Sequence, residues 1–104
     1  MKKCIKASRN LNKSILEEIE KKLYEAFRKN DLYPEGLWVE TGSMVNKINY
    51  EIRGDWKHDH LFSEYVVKEV LSEYPDIRII RSTSAVTEED GSDWYTAIHT
   101  FWID

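Results

Sequence analysis

Residues 45–53, Val-Asn-Lys-Ile-Asn-Tyr-Glu-Ile-Arg, decide how the rest of the chain is read. Ile48, Tyr50 and Ile52 alternate with Lys47, Asn49, Glu51 and Arg53. A period of two sends the first set to one face of a sheet and the second set to water. The stretch is therefore a strand with one dry face, and something apolar must cover that face. Gly54 ends it. Upstream, Leu37 to Thr41 reads as its hairpin partner across Gly42-Ser43, and Tyr33-Pro34-Glu35-Gly36 has the residue order of a turn.

Two helices can supply the cover. In residues 14–30, Ile15, Ile19, Leu23 and Phe27 recur every four positions beside Leu16 and Ala26, which makes one apolar stripe. Ser14 and Glu17 have capping-box spacing. Glu17, Glu18 and Glu20 come early and Arg28 and Lys29 late, as the helix dipole favours. A second helix is predicted over about residues 59–74. Phe62, Val66 and Val70 align there with Val67, Leu71 and Tyr74, Glu64, Lys68 and Ser72 point outward, and Pro75 blocks continuation.

Three more strands complete the reading. Residues 2–9 alternate as a short strand with Ile5 and Ala7 on one face. Residues 77–86 and 94–103 are rich in β-branched and aromatic side chains around a hairpin loop, Glu88-Glu89-Asp90-Gly91-Ser92-Asp93. Both faces of 94–103 are half apolar, so the pattern leaves open whether Tyr95, His99 and Phe101 or Trp94, Ile98 and Trp102 turn inward. The order is βαββαβ followed by one more strand. It predicts a single α+β domain over residues 1–104, ferredoxin-like, with two helices on one face of an antiparallel sheet and the last strand at an edge.

Composition closes off several classes. The chain has 104 residues, of which 41% are hydrophobic and 33% charged, with four Gly and two Pro. That balance excludes collagen-like, low-complexity and disordered chains. No run approaches the ~20 apolar residues of a membrane helix, and no apolar segment follows the early basic residues, so no secretory leader is expected. A lone Cys4 cannot close an intrachain disulfide and suits a reducing compartment. A cytoplasmic protein without membrane contact is the expectation. The net charge of −4 is split. Residues 1–13 hold five bases and no acid, and residues 85–104 hold five acids and no Lys or Arg. Two separate charged patches are expected.

The densest polar cluster is Asp55-Trp56-Lys57-His58-Asp59-His60, where a strand hands over to the second helix. Imidazoles and carboxylates ligate transition metals when three or four converge, and the same groups can act as acid and base. His58, Asp59, His60 and, from the last strand, His99 are the metal candidates. Against them, His58 and His60 are two apart and so point to different sides of a helix, and no third ligand is read at helical spacing. Asp55 or Asp59 capping the helix is the plainer reading. Turned inward, His99 would be a hydrogen-bonded core histidine.

Lys6, Lys47 and Arg53, with Trp38, could make an open sheet face for nucleic acid, as in RNA-binding domains of this topology. The negative net charge and the missing Lys/Arg-Gly-aromatic strand motif argue against it. The 88–93 loop lacks the 12-residue pattern of a calcium loop. No phosphate loop, serine elbow or Cys-His pair appears, so no catalytic residue and no cofactor is assigned.

Gly54-Asp55-Trp56-Lys57-His58-Asp59-His60 and Glu89-Asp90-Gly91-Ser92-Asp93-Trp94-Tyr95, running on to His99-Thr100, resemble short proteins of unassigned activity encoded by bacterial phages and mobile elements. The resemblance implies a setting in which small proteins bind and modulate host or element machinery, defence nucleases included. The sequence therefore points first to a non-enzymatic protein-interaction domain, with Trp38, Trp56, Trp94, Glu88, Glu89, Asp90 and Asp93 as contact candidates. A metal-binding or hydrolytic protein built on His58, Asp59 and His60 stands second, and a nucleic-acid-binding sheet third. A homodimer through residues 94–103 is also expected, since an aromatic edge strand invites pairing.

Overall fold

The computed structural model describes residues 13–41, 45–54, 57–91 and 93–104, with only the backbone given for residues 57–59. Helix α1 spans Lys13–Lys29, strands β1 and β2 span Gly36–Glu40 and Asn46–Gly54, helix α2 spans Lys57–Leu71, and strands β3 and β4 span Ile79–Glu88 and Tyr95–Ile103. The strands form one antiparallel sheet in the order β1-β2-β4-β3. Both helices lie on one face of it, which is the α+β architecture expected. No helix among the described residues is long and apolar enough to cross a membrane.

The stripe of α1 works as its spacing predicts. Leu16, Ile19, Leu23 and Phe27 are buried, Ile15 packs at the margin, and all meet Leu37, Ile48, Tyr50, Ile52, Phe101 and Ile103 from the sheet. The helix closes with Asp31 in the left-handed region (φ 58°), which lets the Leu32 N–H reach back to the Phe27 carbonyl at 2.8 Å. Ser14 lies inside the helix rather than before it.

The sheet order differs from the ferredoxin-like expectation. The strand expected over residues 2–9 lies outside the described residues. The place such a first strand would take, between β2 and the strand after the second helix, is held by β4. Residues 94–103 were expected at an edge. Instead β4 is hydrogen-bonded along its length to β2 on one side and β3 on the other. A homodimer through that strand has no free edge to use.

The phase of α2 also differs. Val66, Val67, Val70 and Leu71 are buried, but Leu61, Phe62 and Tyr65 are exposed, and His60 and Ser63 take the inner positions of the first two turns. The open question about residues 94–103 is answered by the same seam. Tyr95, Ala97, His99, Phe101 and Ile103 face inward under the helices.

Candidate metal centre

Three side chains converge where α2 crosses β4. His60 and Glu64 are four residues apart and so share one face of the helix, while His99 rises from the middle of β4. One ligand atom from each lies within 4.8 Å of the other two. A tetrahedral ion with bonds near 2.05 Å spaces its ligands at roughly 3.4 Å, which modest side-chain rotation reaches from here. His99 is fully buried, His60 nearly so, and Glu64 half-buried on the water side.

The imidazoles lack what buried polar groups normally have. Nδ1 of His60 and both ring nitrogens of His99 are buried with no hydrogen-bond partner among the described residues. The expectation of a hydrogen-bonded core histidine is not met. Leaving such atoms unpaired costs roughly 1–3 kcal/mol each, and native folds tolerate few. Burial first, and then the neighbouring His60, lowers the His99 pKa to about 4. The ring is therefore neutral at ordinary pH, the state in which imidazole binds a metal without first losing a proton.

Aromatic packing and one hydrogen-bond chain hold the histidines in place. The His99 ring stacks on Tyr50 with centroids 4.7 Å apart, and the His60 ring stands edge-on to Tyr95 at 5.9 Å. Ser63 donates its single hydroxyl proton to the His60 carbonyl at 2.6 Å. The 2.6 Å contact between Tyr50 and Ser63 must then run from the phenol to the serine oxygen. Burial pushes the Tyr50 phenol well above its usual pKa, so the phenol keeps the proton it donates. The chain ties the helix turn that carries His60 to the strand on which the His99 ring leans.

Of the four metal candidates, His60 and His99 come together. The side chains of His58 and Asp59 lie outside the described residues, as do Asp55 and Trp56. Glu64 was missed in the sequence because the helix was phased on Phe62, which turned Glu64 outward. The His-x-x-x-Glu spacing of residues 60–64 was the signal available.

The other candidates sit on the opposite, open face. Lys47 lies over Trp102 (5.5 Å) and Arg53 over Trp94 (4.5 Å), and Arg53 also binds Glu89 through two contacts of 2.8 and 3.1 Å. Arg81 covers Trp102 as well, at 4.8 Å. Lys47 and Arg53 thus each meet a protein group, and two of the three described Trp rings already carry a cation. Lys6 lies outside the described residues. Trp38, on the β1 edge, and Trp94, beside the β3–β4 turn, are both exposed but are not brought together. Glu88 ends β3, and Asp90 and Asp93 are exposed at the turn that Gly91 makes with φ 70°. The acidic end is partly neutralised by Arg53 and, at Asp104, by Arg78 at 3.3 Å, so it is less of a separate patch than the charge count suggests.

No protein-family model, curated protein or solved structure matches this chain.

Proposed function

We propose that the protein binds one divalent transition-metal ion, zinc in the first instance, through His60, Glu64 and His99. The observation that carries this reading is the set of three imidazole nitrogens, buried beside a carboxylate and without a hydrogen-bond partner among the described residues. Two imidazoles and one carboxylate suit zinc and its neighbours in the first transition row. Two ligands come from α2 and one from β4, so a bound ion cross-links helix to sheet and adds its binding free energy to the fold. Metal analysis of protein purified without chelator, followed by calorimetric titration of zinc into chelator-treated protein, tests it. One ion per chain, with a melting temperature that rises on loading, supports the site. Absence of any stoichiometric metal, together with a melting temperature indifferent to zinc and to chelator, overturns it.

A second reading keeps the protein-interaction role, in the phage or mobile-element setting that the sequence resemblance implies. It is supported by Trp38, Trp94 and Ile98, each more than two-fifths exposed on the open sheet face. Affinity capture with wild-type protein and with a Trp38→Ala, Trp94→Ala double variant tests it. A saturable partner retained by the first and lost by the second is the expected result, and equal capture by both removes this face from the role.

A further inference from the structure

We infer that helix α1 holds the outer edge of β1 closed to strand addition, with Glu20 and Tyr24 standing in for a neighbouring strand. Among the described strands, β1 ends the sheet, with β2 on its inner side. On its outer side α1 supplies the bonds. The Val39 N–H donates to Oε1 of Glu20 at 3.0 Å, and the Tyr24 phenol donates to the Leu37 carbonyl at 3.2 Å. Glu20 and Tyr24 are four residues apart, so they share a helix face and stand about 6 Å apart along its axis. Leu37 and Val39 are two apart, about 6.8 Å along a strand. The two spacings match, so one face of the helix meets two successive outward-pointing residues of the strand.

The strand needs such a guard. Its sequence, Gly-Leu-Trp-Val-Glu, is apolar through the middle and holds neither proline nor lysine. Sheets that lack those residues at an edge protect it by laying a helix or loop over it. A backbone N–H has one proton to give. The Val39 N–H therefore cannot serve Glu20 and an incoming strand at once, and the guard acts by occupying the donor rather than by bulk alone.

The register identifies what is kept out. Val39 bonds outward to α1, so Leu37, two residues before it, presents its backbone groups to the same edge. A second copy of β1 running antiparallel, with the two-fold axis at Trp38, sets Leu37 against the partner's Val39 as a hydrogen-bonded pair. Each Val39 N–H would then donate to the Leu37 carbonyl of the other copy. Those are the donor that Glu20 holds and the acceptor that Tyr24 holds. The two side chains thus block both members of the bond that would join one chain to another.

Hydrogen exchange and sedimentation of the full chain test the two halves of the inference. Glu20→Ala should speed exchange of the Val39 amide about tenfold, while Glu20→Gln, which keeps an acceptor oxygen, should leave it within about threefold of wild type. The double variant Glu20→Ala, Tyr24→Phe should show a sedimentation-equilibrium mass that rises with concentration above that of wild type at the same loading. Glu20→Gln alone should sediment as wild type does. Glu20 is half-buried, Tyr24 is exposed, and neither belongs to the apolar core, so circular dichroism should show the fold unchanged. Should the double variant not fold, each single variant carries the same sedimentation test with a smaller rise expected. A Val39 amide that Glu20→Ala leaves unmoved overturns the inference. So do folded variants that sediment as wild type does at every concentration, since α1 would then support β1 without guarding its edge.

Discussion

His60 and His99 face each other across the seam between α2 and β4, with ring centroids 5.2 Å apart and planes tilted by 39°. A charge on either ring opposes a charge on the other, and the buried site has little water to soften the conflict. His99 is thus held neutral by the fold, and its protonation becomes a liability.

That liability predicts an acid-sensitive fold in the metal-free protein. The His99 pKa falls from an ordinary 6.5 to about 4 on folding. Between those values the unfolded chain binds more protons than the folded one, so stability is fully present above about pH 6.5 and drains as the pH falls toward 4. The loss from this group amounts to roughly 3 kcal/mol once the pH is below both values. Thermal melts at pH 7 and pH 4.5 should show the wild type losing clearly more stability than His99→Phe, which keeps a ring against Tyr50. An equal loss in both would mean that His99 is not held neutral by the fold.

Glu64 separates ligation from packing. Its side chain is half-buried and supports no part of the apolar core, so Glu64→Gln should change the stability of metal-free protein by no more than about 0.5 kcal/mol. It removes the one anionic ligand, and zinc affinity should fall by about a hundredfold, the upper end of what losing a mere supporting partner costs. Titration calorimetry on both proteins reads this directly. Unchanged affinity would take Glu64 out of the ligand set.

Much of this was legible in the chain. The alternation of Ile48, Tyr50 and Ile52 and the stripe of Leu16, Ile19, Leu23 and Phe27 are single-element patterns, and each element's dry face follows from its own period. The failures share a different cause. Whether residues 94–103 lie at an edge or inside the sheet depends on which strand reaches β2 first, a non-local choice that no local period encodes. The phase of α2 went wrong because Phe62 outranks Ser63 as a core residue on hydrophobicity alone. The fold turns Phe62 out and Ser63 in because His60, Ser63 and Glu64 share a face that meets His99 and Tyr50. Local rules fail there because those polar groups are placed by their mutual contacts across the helix–strand seam, the cluster proposed above to bind metal.

Phe27 connects the first helix to that site. Its ring meets Tyr50 edge-on at 5.0 Å and is fully buried. Phe27→Ala should cost about 3–5 kcal/mol in denaturant unfolding, from lost burial plus the cavity left behind. The same substitution removes the support behind Tyr50, so the surviving folded protein should also bind zinc more weakly. A full stability loss with unaltered zinc affinity would show that the Tyr50 ring is held from the sheet alone.

The relay from Tyr50 through Ser63 to the His60 carbonyl predicts an asymmetry between its two ends. Tyr50→Phe removes a donor and leaves Ser63 still bonded to the carbonyl at 2.6 Å, so the cost should be about 1 kcal/mol. Ser63→Ala leaves a buried phenol with no acceptor, and because Ser63 is itself fully buried no water replaces it readily. That cost should reach about 2–3 kcal/mol. In the double variant both polar ends of the contact are gone together, and the loss should be smaller than the sum of the two singles. Urea unfolding of the four proteins closes the cycle. Losses that simply add would show that the phenol and the hydroxyl act separately, and that the turn bearing His60 is held by helix packing rather than by the strand beneath it.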